Sequence, residues 1–362
     1  MAFSVIPDSI DEFAADVQGL ADVTGYGGVC AAVSGQQYVM ENIKVGYTGA
    51  TGLFFLVGGK TEEVQQTLLD ALSKLGTALN GSAAELRKTA DNYAAIDEAA
   101  RVRLDNAYPD SGAGGGEPIF TCTIEPKSPS FALKPPQEFP DPDIMTQLWT
   151  HNWFSPTETL AFVIEKVTGG FNFYDELAKR FSGEWNTLEK VASALTYLAD
   201  FHVSLGNAAT QESSNTMNDW TGEAATAVSV YFDKFNTSTT GLAGTLDELS
   251  NAYVSMAIGM AALGDLIAGL MAQLMDQMLL AALTAAAAVV TSETIIGGIV
   301  FGALTVMEVT QCVSLFHKIV EAIGDATTKW DSFAAGVGVI QSLIVDGSID
   351  FKAPIAYDNP QV

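Results

Sequence analysis

The sequence predicts an all-α protein, an elongated helical bundle of two long helical hairpins followed by an apolar C-terminal helical region. Long stretches place apolar residues at steps of three and four, the repeat of a buried helical face, whereas no stretch alternates at period two for long. Eight of the twelve prolines lie between Pro109 and Pro142, together with Gly112 and Gly114-Gly115-Gly116. Such a segment sustains neither a helix nor a central strand, so it reads as a linker of extended and turn conformation.

In chain order, the first helix is expected to open at Asp8 as N-cap, with Asp11 and Glu12 in the first turn, where acids favour the helix dipole. Its buried face is Ile10, Phe13, Val17 and Leu20, and Gly25, Gly27 and Gly28 are expected to kink or interrupt it before it resumes towards Ile43. Residues Val45 to Gly59 form the best strand candidate, though short and rich in glycine. A second helix is expected from Thr61, with the stripe Val64, Leu68, Leu72, Leu75, Leu79, Leu86, Ala90, Tyr93 and Ile96. Beyond the linker, Ser155-Pro156-Thr157-Glu158 has the form of a capping box with proline at the first helical position, and Gly169-Gly170 ends that helix. Further helices are expected from about Glu184 to Gln211 and from Gly222 to beyond Leu249, joined by a turn through Trp220-Thr221-Gly222. The domain reading is a helical hairpin at 1–105, a Pro/Gly-rich linker at 106–148, a second hairpin at 149–260, an apolar Ala-rich helical region at 261–345 and an irregular tail at 346–362.

Composition narrows the function. The 362 residues are 48% hydrophobic, enough for a sizeable core, and 43 acids against 17 basic residues give a net charge of −26. That balance argues against nucleic acid or an anionic membrane surface as an electrostatic partner. Cys30, Cys122 and Cys312, and His151, His202 and His317, are scattered singly, without zinc-type spacing or a fully paired disulfide framework. The redox state of the cysteines stays open. The N-terminus is the reverse of a secretory signal, because six acids precede the first basic residue, Lys44. The chain is expected either to remain in the cytoplasm or to leave by a route that reads no such signal.

Few motifs carry chemistry. Gly59-Lys60-Thr61 has the end of a phosphate-binding loop, but position 54 is Phe where that loop needs glycine, so a turn plus N-cap is the better reading. No nucleophile elbow, zinc helix or paired-carboxylate pattern stands out, and neither catalysis, a cofactor nor a metal is expected. Tyr93 and Asp97, four apart, share one helix face, which by itself means only an aromatic beside an acid. In Trp220-Thr221-Gly222 the glycine permits backbone that other residues avoid, and the indole can cover a hairpin tip; a tight helix–helix turn accounts for both.

Taken together, the motifs resemble a known family. Leu86-Arg87-Lys88-Thr89-Ala90-Asp91-Asn92-Tyr93, continuing to Asp97-Glu98-Ala99-Ala100, resembles the end of the helical hairpin in substrates of the type VII (ESX) secretion system. The opening from Val5-Ile6-Pro7-Asp8 through Phe13 and Leu20 is similar to the start of PE-like and ESX secretion-associated hairpins. Asp219-Trp220-Thr221-Gly222-Glu223-Ala224 resembles the W-x-G turn of the WXG and PPE families. The order of the halves is similar to ESX-secreted fusions of PE-like and PPE-like hairpins, and the Ala-rich region to that of actinobacterial toxin leaders. The resemblance implies an actinobacterial, non-enzymatic protein, folded in the cytoplasm and exported to the envelope or medium. It implies that Tyr93, Asp97, Trp220 and Gly222 form a bipartite export signal at one exposed end of the bundle. The implied partner is the secretion ATPase, with a dedicated chaperone left open.

The apolar region admits two readings. No Lys or Arg occurs from Phe235 to His317, and between Asp276 and Glu308 the only charge is Glu293. The runs Met278–Val290 and Ile295–Met307 are each shorter than the ~20 residues of a membrane-spanning helix. Gly298 and Gly302 give a small-xxx-small spacing suited to close helix packing, in water or in lipid. A hairpin packed on the bundle or on another copy is the first expectation; a membrane-active or channel-forming role for 277–307 after export is the alternative. The short stretch after Val345 leaves no room for a toxin domain within this sequence.

Overall fold

The computed structural model describes residues 4–25, 34–46, 52–107, 128–140, 176–177, 180–291 and 295–350; the side chains of 4, 96–107, 223, 281–291, 295–309 and 347–350 lie outside that description. Cys30, Cys122, His151, the Ser155–Glu158 capping box and Gly169-Gly170 also lie outside the described residues.

The chain is all-α. The elements are β1 (Ser4–Val5), α1 (Pro7–Thr24), α2 (Gly35–Asn42), α3 (Leu53–Ala107), a 3-10 turn (Pro129–Ala132), α4 (Asn186–Thr216), β2 (Trp220–Thr221), α5 (Glu223–Thr291) and α6 (Ile295–Asp350). At 1.5 Å per residue, the 69 residues of α5 extend about 100 Å.

Helix α1 starts one residue before the expected cap. Pro7 takes the first helical position, where its missing N–H costs nothing, and Ile6 is the N-cap without a side-chain cap bond. The expected face is buried, with Ile10, Phe13, Val17 and Leu20 all in the core.

The strand expected over Val45 to Gly59 is overturned for residues 53–59, while 47–51 lie outside the described residues. Helix α3 already runs from Leu53, so Gly59-Lys60-Thr61 is helix interior. The Thr61 hydroxyl caps nothing; it donates back to the Val57 carbonyl at 2.8 Å and accepts from Tyr253 at 3.0 Å. Burial decided this, because Leu53, Phe54 and Val57 are enclosed in the core, and Phe54 meets Trp185 edge-on at 5.2 Å. Propensity alone, with Gly58 and Gly59 adjacent, disfavours the helix.

Part of the proline-rich segment is built onto the bundle. Leu133 is buried, Tyr38 donates its hydroxyl to the Lys134 carbonyl at 2.8 Å, and Asn186 donates to the Phe139 carbonyl at 3.0 Å. Proline-rich chain lacks the donors to form its own ladder, so side chains of α2 and α4 satisfy its carbonyls instead.

Three antiparallel pairs organise the bundle: α1 on α3, α4 on α5, and α5 on α6. Their apolar faces merge into one core. Ser250 donates to the Ala192 carbonyl near the start of α4, so α5 runs past that start soon after Tyr253 and continues with α6 as its main partner. The α5–α6 register is steady, with Phe333 against Tyr253 and Lys329 against Gly259. The α5–α6 hairpin thus forms an arm leaving the bundle opposite the Trp220 turn.

Candidate functional site

The Trp220 end is built by the way α4 stops. Its last carbonyls accept from successive amides: Met217 N–H to Ser213, Asn218 N–H to Asn215 and Asp219 N–H to Thr216, at 3.2, 3.2 and 3.0 Å. The chain then extends through Trp220 and Thr221 as β2 and reverses at Gly222, whose φ is +129°. Residues with a Cβ are strained there, so this glycine makes the reversal. Helix α5 begins immediately, the Thr226 amide donating to the Gly222 carbonyl at 3.1 Å.

Tyr93 reaches the same place from α3. Its half-buried ring stands edge-on to the Trp220 indole, 6.1 Å between centroids and 74° between planes. Such a pair is worth roughly 0.5–1.5 kcal/mol beyond the area it buries. Asp97 continues the α3 helix one turn further on, and its side chain lies outside the described residues. Gly298 and Gly302 fall in the first turns of α6, and their surroundings also lie outside the described residues.

One expectation about this end is corrected. Trp220 has no exposed surface, so the indole is a core residue that closes the end of the bundle from inside. Its neighbours Thr221 and Asn218 are exposed. The turn backbone and the half-open Tyr93 ring, with these neighbours, form the accessible surface.

A structural partner of this end had no signal in the sequence. Residues Ser4 and Val5 pair antiparallel with Thr221 and Trp220 respectively. Ile6 N–H donates to the Asp219 carbonyl at 3.1 Å, and Ser9 Oγ donates to Asp219 Oδ2 at 2.9 Å. A two-residue strand shows no periodicity, so pattern reading could not find it.

Acids cluster slightly deeper. Buried Glu212 of α4 lies beside Asp16 of α1 and accepts from Asn215 Nδ2 at 3.3 Å. Burial first, then the Asp16 charge, raises the Glu212 carboxyl above its ordinary range.

Chemically the end offers shape and hydrogen bonding. Among the described residues, no group of three His, Cys, Asp or Glu side chains could hold a metal ion. His202 is buried in α4, donating Nδ1–H to the Leu198 carbonyl at 2.8 Å, and burial lowers its pKa to about 4. His317 is exposed on α6, and Cys312 is buried in the core. A cavity of about 330 Å³ opens between α5 and α6, lined by Gln273, Asp276, Gln277, Gln311, Ser314, Leu315 and Lys318. It lies on the arm, far along α5 from Trp220.

No family model, curated protein or solved structure matches the chain.

Proposed function

We propose that the protein is a non-enzymatic substrate of a type VII secretion system, exported folded through a bipartite signal made by Trp220-Thr221-Gly222 and Tyr93 with Asp97. The observation that carries this is the edge-on packing of Tyr93 against Trp220, which joins motifs from opposite halves of the chain at one end of the bundle. Neither motif is specific alone. Their meeting gives a partner such as the secretion ATPase a single surface to read, and a folded bundle can present it without unfolding.

The test is secretion in an actinobacterial host, comparing culture filtrate with lysate, with the secretion ATPase intact or deleted. Wild-type protein is expected in the filtrate only when the ATPase is present. Tyr93→Ala is expected to abolish export while the far-ultraviolet circular dichroism stays unchanged. Trp220→Phe serves better than Trp220→Ala, because deleting a buried indole costs about 3–5 kcal/mol and confounds folding with recognition. Normal export of both Tyr93→Ala and Trp220→Phe would overturn the assignment.

Membrane contact after export is a second reading, favoured by the arm. Ile258, Leu266, Leu279 and Leu280 of α5 are about half exposed, at 57, 52, 53 and 48%. Among the described residues, one helix, over Ala224–Leu280, is long and apolar enough to cross a membrane by length and composition, with 33% of its most apolar window buried. The absence of Lys and Arg from 235 to 317 selects neutral over anionic lipid.

A further inference from the structure

Residues 4–9 hold the Trp220 turn through bonds that the helical core does not need. Helix α1 is already anchored by Ile10, Phe13 and Val17, with the Phe13 ring 5.0 Å from Phe232. A two-residue antiparallel pair adds little stability of its own. Its bonds converge on one residue: the Asp219 carbonyl accepts from Ile6 N–H and the Asp219 carboxylate from Ser9 Oγ, while the Asp219 amide is committed to Thr216. Both ends of Asp219 are thereby used, and the residue beside it, Trp220, is paired with Val5. The register places extended chain along the turn just before Gly222 reverses it, so the turn is braced by α1 as well as by its own helices. Ile6 remains 43% exposed at this end, an apolar side chain held on the surface beside the turn.

We infer that Ser9 and Asp219 are positioning residues of the recognition end, clasping residues 4–6 across the Trp220 turn so that the N-terminal strand forms part of the surface the export machinery reads. The inference rests on the export reading and deepens it. The clasp fixes the direction in which Thr221 and Gly222 are presented; with it open, the Tyr93–Trp220 packing inside the bundle persists while the surface loses its shape.

The experiment uses the full chain with Ser9→Ala and Asp219→Ala combined, and Ser9→Thr and Asp219→Asn as conservative controls. Amide hydrogen exchange at Ile6 and Thr221, melting temperature and ATPase-dependent export are measured together. In the double alanine variant, exchange at both amides is expected to accelerate about tenfold or more, with the melting temperature nearly unchanged and export reduced about tenfold. The conservative controls are expected to keep slow exchange and export. Normal export of a variant whose clasp amides exchange fast, alongside loss of export in Tyr93→Ala, overturns the clasp inference alone. Unchanged exchange in the double alanine variant also overturns it. Wild-type protein missing from the filtrate, or present there without the ATPase, overturns the export reading and with it the clasp's role.

Discussion

At the scale of single residues, buried titratable groups on α4 pull stability in opposite directions with pH. The Glu212 carboxyl, beside Asp16, is raised in the folded state, so the fold binds a proton more readily than the unfolded chain. Its contribution therefore improves as pH falls through that raised value, and above it the ionised carboxylate weakens the fold. His202 behaves the other way: folded, its pKa is lowered from 6.5 to about 4, so the unfolded chain takes the proton first. Stability is lost as pH falls from about 6.5 towards 4, on the order of 3 kcal/mol when complete. Thermal melts across this range should separate the two. Glu212→Gln is expected to raise the melting temperature above neutrality, with the gain shrinking in acid, whereas His202→Gln is expected to flatten the loss between 6.5 and 4. An unchanged pH profile in His202→Gln would show that the imidazole reaches water.

Among the elements, the α4–α5 pair determines where the Trp220 turn sits. The two helices pack tightly at Gly206, where a Cβ would strike Thr239 Oγ1 and Asn236 Oδ1, with the Asn236 backbone only 3.1 Å away. Gly206→Val is expected to push these helices apart and cost roughly 1–3 kcal/mol by overpacking. It should also loosen the turn that they carry, seen as faster amide exchange at Thr221. Polar bonds lock the same pair further down, where Thr196 and Ser250 hydroxyls meet at 3.1 Å. The proline-rich stretch acts here as well, since its residues Lys134 to Phe139 lie along α4 and α2 through side-chain bonds to their backbone and a Lys190–Glu138 ion pair at 2.6 Å.

For the whole molecule, the two ends differ in character. One carries the Tyr93–Trp220 packing and the N-terminal clasp; the other extends as the α5–α6 arm. Residues 277–307 lie at the far end of the α5–α6 pair, beyond the part of α5 that meets α4. Replacing residues 277–307 by a short turn is therefore expected to leave the melting temperature of the bundle nearly unchanged. The same replacement should abolish leakage from vesicles of neutral phospholipid if the arm enters lipid; leakage that persists, or none from the intact protein at any pH, would refute the membrane reading. With a net charge of −26, the molecule also repels itself, and added salt should stabilise it modestly.

What the sequence by itself determined follows from local rules. Apolar spacing identified α1, the long stripe of α3 from Val64 to Ala90, and the α4–α5 hairpin about Trp220, because a helix records its buried face at a fixed repeat. Tyr93 and Trp220 were visible as residues, though each alone was ordinary. The tertiary structure decided what depends on contact between distant segments. It made residues 53–60 helical despite their glycines, because Leu53, Phe54 and Val57 found a core to enter. It buried Trp220 completely and brought Tyr93 to its edge. It also paired Ser4 and Val5 with Thr221 and Trp220, a bond pattern between chain segments that no periodicity encodes. Helical repeats are local and can be read from one stretch, whereas burial and strand pairing belong to pairs of stretches and exist only once the chain has folded.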